Sequence, residues 1–355
     1  MELTTTQISV RTTMHSKLKE VDFNDLGFGK YIADHMLVCD YADGGWHSPQ
    51  IVPFANLSLS PTTLALHYGQ TVFEGMKAFK TKDGHINIFR IEKHYERFVK
   101  SLQRMCMAVI PKDIFIEGLS KLVETDRGWI PEAGGSALYL RPFMYASEAK
   151  FGVKVSDEYR FIVFTGPVAQ AFAKPIKVKV EREYIRAAKG GTGFAKCGGN
   201  YGGAFYPTKL AQDEGYDQVL WTGGKDNKFI EESGMMNAMF IINNKIVTAP
   251  LSDTILDGVT RDSLLTIAND LGYTIEERPV SIDELVDAFK NGTITEACGA
   301  GTAAVVAPIA VIGIDGKDYE LPLTANGLFD KLKNNLELVR TGRTTDTHEW
   351  NFLIS

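Results

Sequence analysis

The 355-residue sequence has little that would suit it to a nucleic acid, a membrane or a metal ion. Its formal charge of -6 comes from 38 basic and 44 acidic residues mixed along the chain, with no basic run able to neutralise successive phosphates of a duplex. No apolar stretch approaches the roughly 20 residues that span a bilayer. Residues 1–21 mix Glu2, Arg11, Lys17, Lys19 and Glu20 without an apolar core, which fits neither a signal peptide nor a transit peptide. Cysteine is scarce. Cys39, Cys106, Cys197 and Cys298 stand far apart, form no CxxC pair and have no clustered histidines beside them, so a reducing cytoplasm is expected and a structural metal is not. Internal repeats and low-complexity tracts are also missing. What remains is 44% hydrophobic and 23% charged, the composition of a globular chain long enough for two domains.

Hydrophobic periodicity predicts a first half of mixed α and β character. Residues 33–41 and 51–59 read as strands, and Pro61 opens a helical turn towards Tyr68. Phe73 to Lys80 and Ile86 to Phe89 flank a turn with Asp83-Gly84 at its centre, the pattern of a β-hairpin. From His94 to Met107 the apolar residues Tyr95, Phe98, Val99, Leu102 and Met105 recur at helical spacing, with charges on the other face. A second helix spans Lys112 to Thr125, and residues 136–145 and 159–164 return to strand character. Prolines bracket residues 167–175, the best linker in the chain, so residues 1–166 form a smaller domain and 176–355 a larger one. Within the second, helices are expected near 203–214, 260–271 and 282–291, separated by strands.

One loop stands out. In residues 190–203 seven of fourteen residues are glycine, and Lys196 is the only charge among them. A lysine in a partly dry pocket loses its proton more readily, and the neutral amine can attack a carbonyl carbon; the alternative is a solvated lysine on a flexible loop. Gly258-Val259-Thr260-Arg261 and Gly299-Ala300-Gly301-Thr302-Ala303 pair glycine turns with a threonine hydroxyl, which suits an anion, with Arg90 as a fixed positive charge; an ordinary threonine N-cap is the competing reading. The run 299–304 also fits the dinucleotide fingerprint, yet Pro308 follows and no βαβ unit surrounds it. Glu232 sits among apolar and small residues, where burial would demand a cationic partner such as a protonated pyridine nitrogen; otherwise it is a surface glutamate. Cys197 lacks a histidine base and reads as small filler. No metal ligand set is present.

Together, LHYGQTVFEGMKAFK, INIFR, ALYLRPF, FAKCGGNYGG, IEESGMMN, DGVTR and CGAGTAA resemble the branched-chain amino acid aminotransferases of the class IV, pyridoxal-phosphate fold type IV group, from Phe28 to His348-Glu349-Trp350. The resemblance implies two α/β domains of mixed α+β type, a homodimer, pyridoxal 5'-phosphate between the domains, and Lys196 supplied by the C-terminal domain as the Schiff-base lysine. It implies that Tyr201 meets the ring's phenolic oxygen, that Glu232 meets the ring nitrogen, and that Arg90, Val259, Thr260 and Thr302 hold the phosphate. Tyr68, Thr302 and Ala303 match contacts to the substrate α-carboxylate. Phe28, Phe73, Tyr139 and Val153 match the walls of the side-chain pocket, and Arg141 matches the reader of the glutamate carboxylate. The activity implied is transfer of the amino group of leucine, isoleucine or valine to 2-oxoglutarate. Phe73-Glu74-Gly75-Met76-Lys77 with Tyr139-Leu140-Arg141 argues against a D-amino acid aminotransferase or an aminodeoxychorismate lyase, and a phosphate-ligand binder without catalysis would not need Lys196. Three departures stand out: Met235 replaces a threonine of the mammalian members, Ala304 and Ala307 replace their CxxC, and the linker aromatic is shifted to Ala171-Phe172.

Overall fold

The computed structural model describes residues 7–132, 134–169, 174–322 and 326–354. Contacts divide the chain into two compact units: Met1–Gln170 with Ala195–Gly199 and Val339–Ser355, and Ala171–Phe194 with Asn200–Leu338. Residues 170–173 of the expected linker, including Ala171-Phe172, lie outside the described residues. This division differs from the expected one in two segments. Both Ala195–Gly199, which carries Lys196, and Val339–Ser355 belong with the first unit, because backbone pairing ties them there. Cys197 bridges to Val72, and the strand Asn351–Ile354 pairs antiparallel with Ile86–Phe89.

Among the described residues the first unit holds a ten-stranded sheet. Its main path runs Ser9–Val10, Gln50–Pro53, His35–Ala42, Tyr159–Val168, Ala137–Ala146, Met76–Lys80, Ile86–Phe89 and Asn351–Ile354. Strand alternation sorts its residues between two faces. Leu37, Leu138, Leu140 and Met144 enter the main core, while Met36, Phe143 and Tyr145 pack on the opposite side. Three helices accompany the sheet: α1 (Leu64–Tyr68), α2 (Ile91–Arg104) and α3 (Lys112–Thr125). Phe98 and Leu102 of α2 and Phe115, Leu119 and Leu122 of α3 are fully buried in that core. Each such side chain contributes about 1.5–3 kcal/mol relative to exposure, which is why two amphipathic helices stay on the sheet.

Here α3 matches its expected bounds, but α2 begins three residues early and its polar face is not all solvated. His94, Arg97 and Ser101 are buried. The strand expected over 51–59 stops at Pro53.

In the second unit, Phe229–Ser233, Gln218–Gly223, Ile176–Val180, Val305–Ile314, Ile294–Gly301 and Met236–Ile242 pair in that order, and Phe229–Ser233 pairs again with Met236–Ile242. The six strands therefore close into a ring, which leaves those neighbours no open edge. Lys245–Thr248, Ile275–Glu277 and Lys317–Glu320 extend the sheet. The helices Phe205–Asp213, Val259–Asp270 and Ile282–Lys290 fall within a few residues of their expected spans. The run 299–304 turns into an antiparallel hairpin, Gly301 opposite Val305, so no dinucleotide-binding helix follows it. Among the described residues no helix is long and apolar enough to cross a membrane, and no group of side chains has the makings of a metal site.

Candidate active site

Lys196 is half-buried in the first unit. Its N–H donates to the Ser101 hydroxyl at 2.9 Å, its carbonyl accepts the Phe73 N–H at 3.0 Å, and its Nζ lies 4.8 Å from the centre of the Phe73 ring. Desolvation, reinforced by the positive charge of Arg97, pushes its pKa down to about 8; Glu74 opposes the shift. At pH 8 about half of such amines are neutral, against roughly 0.3% for an ordinary lysine. The loop lysine is therefore primed as a nucleophile or base rather than solvated. Cys197 beside it is buried, as expected of a small filler residue.

Strand alternation places Tyr139 and Arg141 on the same face of Ala137–Ala146 as Phe143 and Tyr145. Arg141 is sandwiched by rings, with its guanidinium carbon 4.9 Å from the Phe73 centroid and 5.3 Å from that of Tyr139, and it donates to the Tyr139 hydroxyl at 3.0 Å. Its Nε is buried and has no hydrogen-bond partner among the described residues. A buried donor left unsatisfied is costly, so this one is suited to an anionic ligand. Phe28 meets Tyr139 edge-on at 5.0 Å. Room for the Tyr139 hydroxyl exists because residue 75 is glycine: a Cβ there would lie 2.0 Å from that oxygen. Beside these residues runs an apolar groove of about 430 Å³ lined by Leu66, Phe73, Arg141, Phe143, Tyr145 and Phe164, among others.

Four of the expected pocket residues, Phe28, Phe73, Tyr139 and Arg141, thus come together. Val153 does not join them. It is 84% exposed, on the segment following Ala137–Ala146, and Phe28 and Tyr68 remain 62% and 41% exposed.

Arg90 starts α2 in a left-handed backbone conformation, φ 52°. For a non-glycine residue this costs about 1–2 kcal/mol, so the surroundings must impose it. They do. The Arg90 N–H donates to the Trp350 carbonyl at 2.7 Å, its guanidinium lies 4.7 Å from the Trp350 ring centre, and His348 stacks on that ring.

In the second unit Glu232 is buried and does have a cationic partner. Arg186 Nε lies 3.0 Å from Oε2, while Oε1 accepts the Leu256 N–H at 2.9 Å and the Asn237 amide at 3.3 Å. Donors from the chain offset the cost of keeping this charge inside. The Asn237 amide also donates to the Leu256 carbonyl, at 2.9 Å, and Gly258 packs so closely that a Cβ would meet the Asn237 amide oxygen at 1.9 Å. The carboxylate is thereby tied to the start of Val259–Asp270. Gly258, not Thr260, is the cap residue of that helix, and Thr260 lies in its first turn; the ordinary N-cap reading of the threonine does not hold. Thr302 and Ala303 occupy the loop between Ile294–Gly301 and Val305–Ile314, whose Gly299 and Gly301 rest on Met236. Tyr201 lies in the short helix Gly199–Gly202.

Sequence reasoning missed Arg186 and Asn237 around Glu232, and Glu74, Arg97 and His94 near Lys196. Only Glu74 carried a signal, as the one acid in the 72–79 run, where Lys77 is the only other charge.

The amino-transferase class IV family model matches residues 71–312. The chain is 40% identical over 353 residues to the probable branched-chain-amino-acid aminotransferase of Staphylococcus aureus (strain MRSA252), covering 98% of both chains. It is also 40% identical over 353 residues to branched-chain-amino-acid aminotransferase 2 of Bacillus subtilis (strain 168), covering 98% of this chain and 97% of that one. Among solved structures it resembles a T.th. branched-chain amino acid aminotransferase complexed with N-(5'-phosphopyridoxyl)-L-glutamate, with a TM-score of 0.71 and 25% identity over 88% of this chain and 97% of that one.

Proposed function

The chain belongs to the amino-transferase class IV family, as a pyridoxal-phosphate-dependent transaminase of branched-chain amino acids, and on that premise we propose that Lys196 is its acting amine. It moves the amino group of leucine, isoleucine or valine to 2-oxoglutarate, giving the 2-oxo acid and glutamate. The observation that carries the assignment of Lys196 is its desolvated amine over the Phe73 ring, with a pKa brought to about 8.

The residues present suit the cofactor. Lys196 would hold its aldehyde carbon, Glu232 its ring nitrogen, Tyr201 its phenolic oxygen, and Arg90, Val259, Thr260 and Thr302 its phosphate, the last three through backbone and hydroxyl donors at a helix start and a hairpin loop. Bound pyridoxal phosphate supplies the electron sink that makes the substrate α-proton removable. Glu232, already embedded in donors, provides the buried negative charge that keeps a ring nitrogen protonated. With the cofactor bound, Lys196 would be the group that takes up, holds and returns the substrate α-proton on its neutral Nζ. Phe28, Phe73 and Tyr139 exclude water around a branched side chain, and Arg141 receives the glutamate carboxylate; the exposed Val153 would serve as a further wall only once a second subunit covers it. Tyr68, Thr302 and Ala303 bind the α-carboxylate.

We further propose a homodimer, supported by the exposure of Phe28, Tyr68 and Val153, residues assigned to a pocket that buries its ligand, and a cytoplasmic location, supported by four free thiols. The test of the central assignment is Lys196→Ala. The variant should fold and bind cofactor without a covalent link, and lose transamination; single-turnover activity surviving without added amine refutes it.

A further inference from the structure

Three buried polar side chains of α2 have no part in these assignments. His94, Arg97 and Ser101, spaced at i, i+3 and i+7, line one seam of the helix and face the interior. Burying a guanidinium demands a partner, and Arg97 has a bidentate one. Its Nε and a terminal nitrogen donate to the two Glu74 oxygens at 2.7 and 2.8 Å, and His94 Nδ1 lies 2.8 Å from the second of them. The Ser101 hydroxyl donates to the Arg97 carbonyl at 2.9 Å while accepting the Lys196 N–H. On the other side Phe73, the chain neighbour of Glu74, donates its N–H to the Lys196 carbonyl and sets its ring against the amine. The lysine is thus gripped at its N–H by the helix that carries Arg97, and at its carbonyl by the segment that carries Glu74.

We propose that the buried Glu74–Arg97 pair, steadied by His94, is the positioning device of Lys196, clamping both backbone grips together and fixing a guanidinium charge beside the amine. This rests on Lys196 being the acting amine. The charged and titratable groups that act on Nζ are Arg97, Glu74, Tyr139 and Arg141, with His94 coupled to it as well. Arg97 holds the amine's pKa down and Glu74, more weakly, holds it up. Burial depresses the His94 pKa despite its bond to Glu74, so His94 serves as a neutral donor through Nδ1.

The two members of one ion pair should therefore shift Lys196 in opposite directions, which a merely structural pair would not do. The experiment follows acetylation of Lys196 by acetic anhydride against pH, read on the lysine's own peptide by mass spectrometry, in the full-length enzyme with its cofactor in the pyridoxamine form. Glu74→Gln should move the half-point down and Arg97→Gln should move it up, each by about half a pH unit or more, while Arg97→Lys stays near wild type. If a single variant fails to fold, Glu74→Gln/Arg97→Gln, which leaves no unpaired buried charge, decides. A half-point above wild type supports the proposal, because the stronger influence has been removed; one at or below wild type overturns it. Shifts of the same sign in both single variants, or none, also overturn it. The reading of Lys196 as the acting amine fails separately, by activity surviving Lys196→Ala.

Discussion

Replacing Arg141 with methionine should separate the two substrates that a single pocket has to accept. Leucine and glutamate differ by a full negative charge on the side chain, and the proposed walls Phe28, Phe73 and Tyr139 carry no positive charge to meet a carboxylate. Arg141 offers it a guanidinium already held in place by two rings and the Tyr139 hydroxyl, with Nε buried and unspent. Losing one charged partner of a buried anion costs about 2 to 4 kcal/mol, so the glutamate half-reaction should slow roughly 30- to 1,000-fold. For leucine, the loss is confined to the ring contacts of Arg141 itself. At about 0.5–1 kcal/mol each, and partly replaced by methionine's own packing against Phe73 and Tyr139, they should slow leucine less than about tenfold. The assay follows the cofactor's absorbance in each half-reaction separately, with leucine and with glutamate, in both proteins. If both slow by the same factor, Arg141 only supports the pocket, and the reasoning from its unsatisfied Nε is wrong.

Glu232→Gln should slow α-proton exchange by at least about 100-fold while cofactor binding, followed by dialysis and absorbance, changes much less; an unchanged exchange rate rules Glu232 out as the ring partner. Gly75→Ala should displace Tyr139, whose hydroxyl a Cβ would approach to 2.0 Å. It should cost about 1–3 kcal/mol in urea unfolding and raise KM for leucine, and an unaffected KM would show that Tyr139 does not shape the pocket. Arg97 and His94 hold the fully buried Glu74 carboxyl well below the usual carboxylate range despite its burial. Its stabilising contribution is present above its unfolded pKa near 4.3 and declines as pH falls below that value. The stability gap between wild type and Glu74→Gln should be about 3–5 kcal/mol at pH 7 and shrink below about pH 4. A gap constant down to pH 3 contradicts the ion pair.

Much of this was legible along the chain because the signals are local. Helix periodicity located α3 to the residue, the Asp83-Gly84 turn located its hairpin, and a lone lysine among seven glycines singled out the loop whose amine folding desolvates. Tyr139 and Arg141 share a face because strands alternate, a rule that needs no tertiary information. What the chain could not disclose were relations between distant segments. That Arg97 is an interior ion pair and not part of a solvated helix face depends on Glu74, 23 residues earlier, arriving beneath it; periodicity counts a charge as polar and has no means of pairing it. The cation facing Glu232 comes from Arg186, in the segment that follows Ile176–Val180, and the edge strand Asn351–Ile354 returns to the first sheet from the far end of the sequence. Lys196 shows the division most plainly. Its residue type and its glycine-rich setting name the chemistry, but the depressed pKa exists only because folding removes water from the amine and brings the charge of Arg97 to bear on it, and desolvation and Coulomb energy are properties of assembled neighbours.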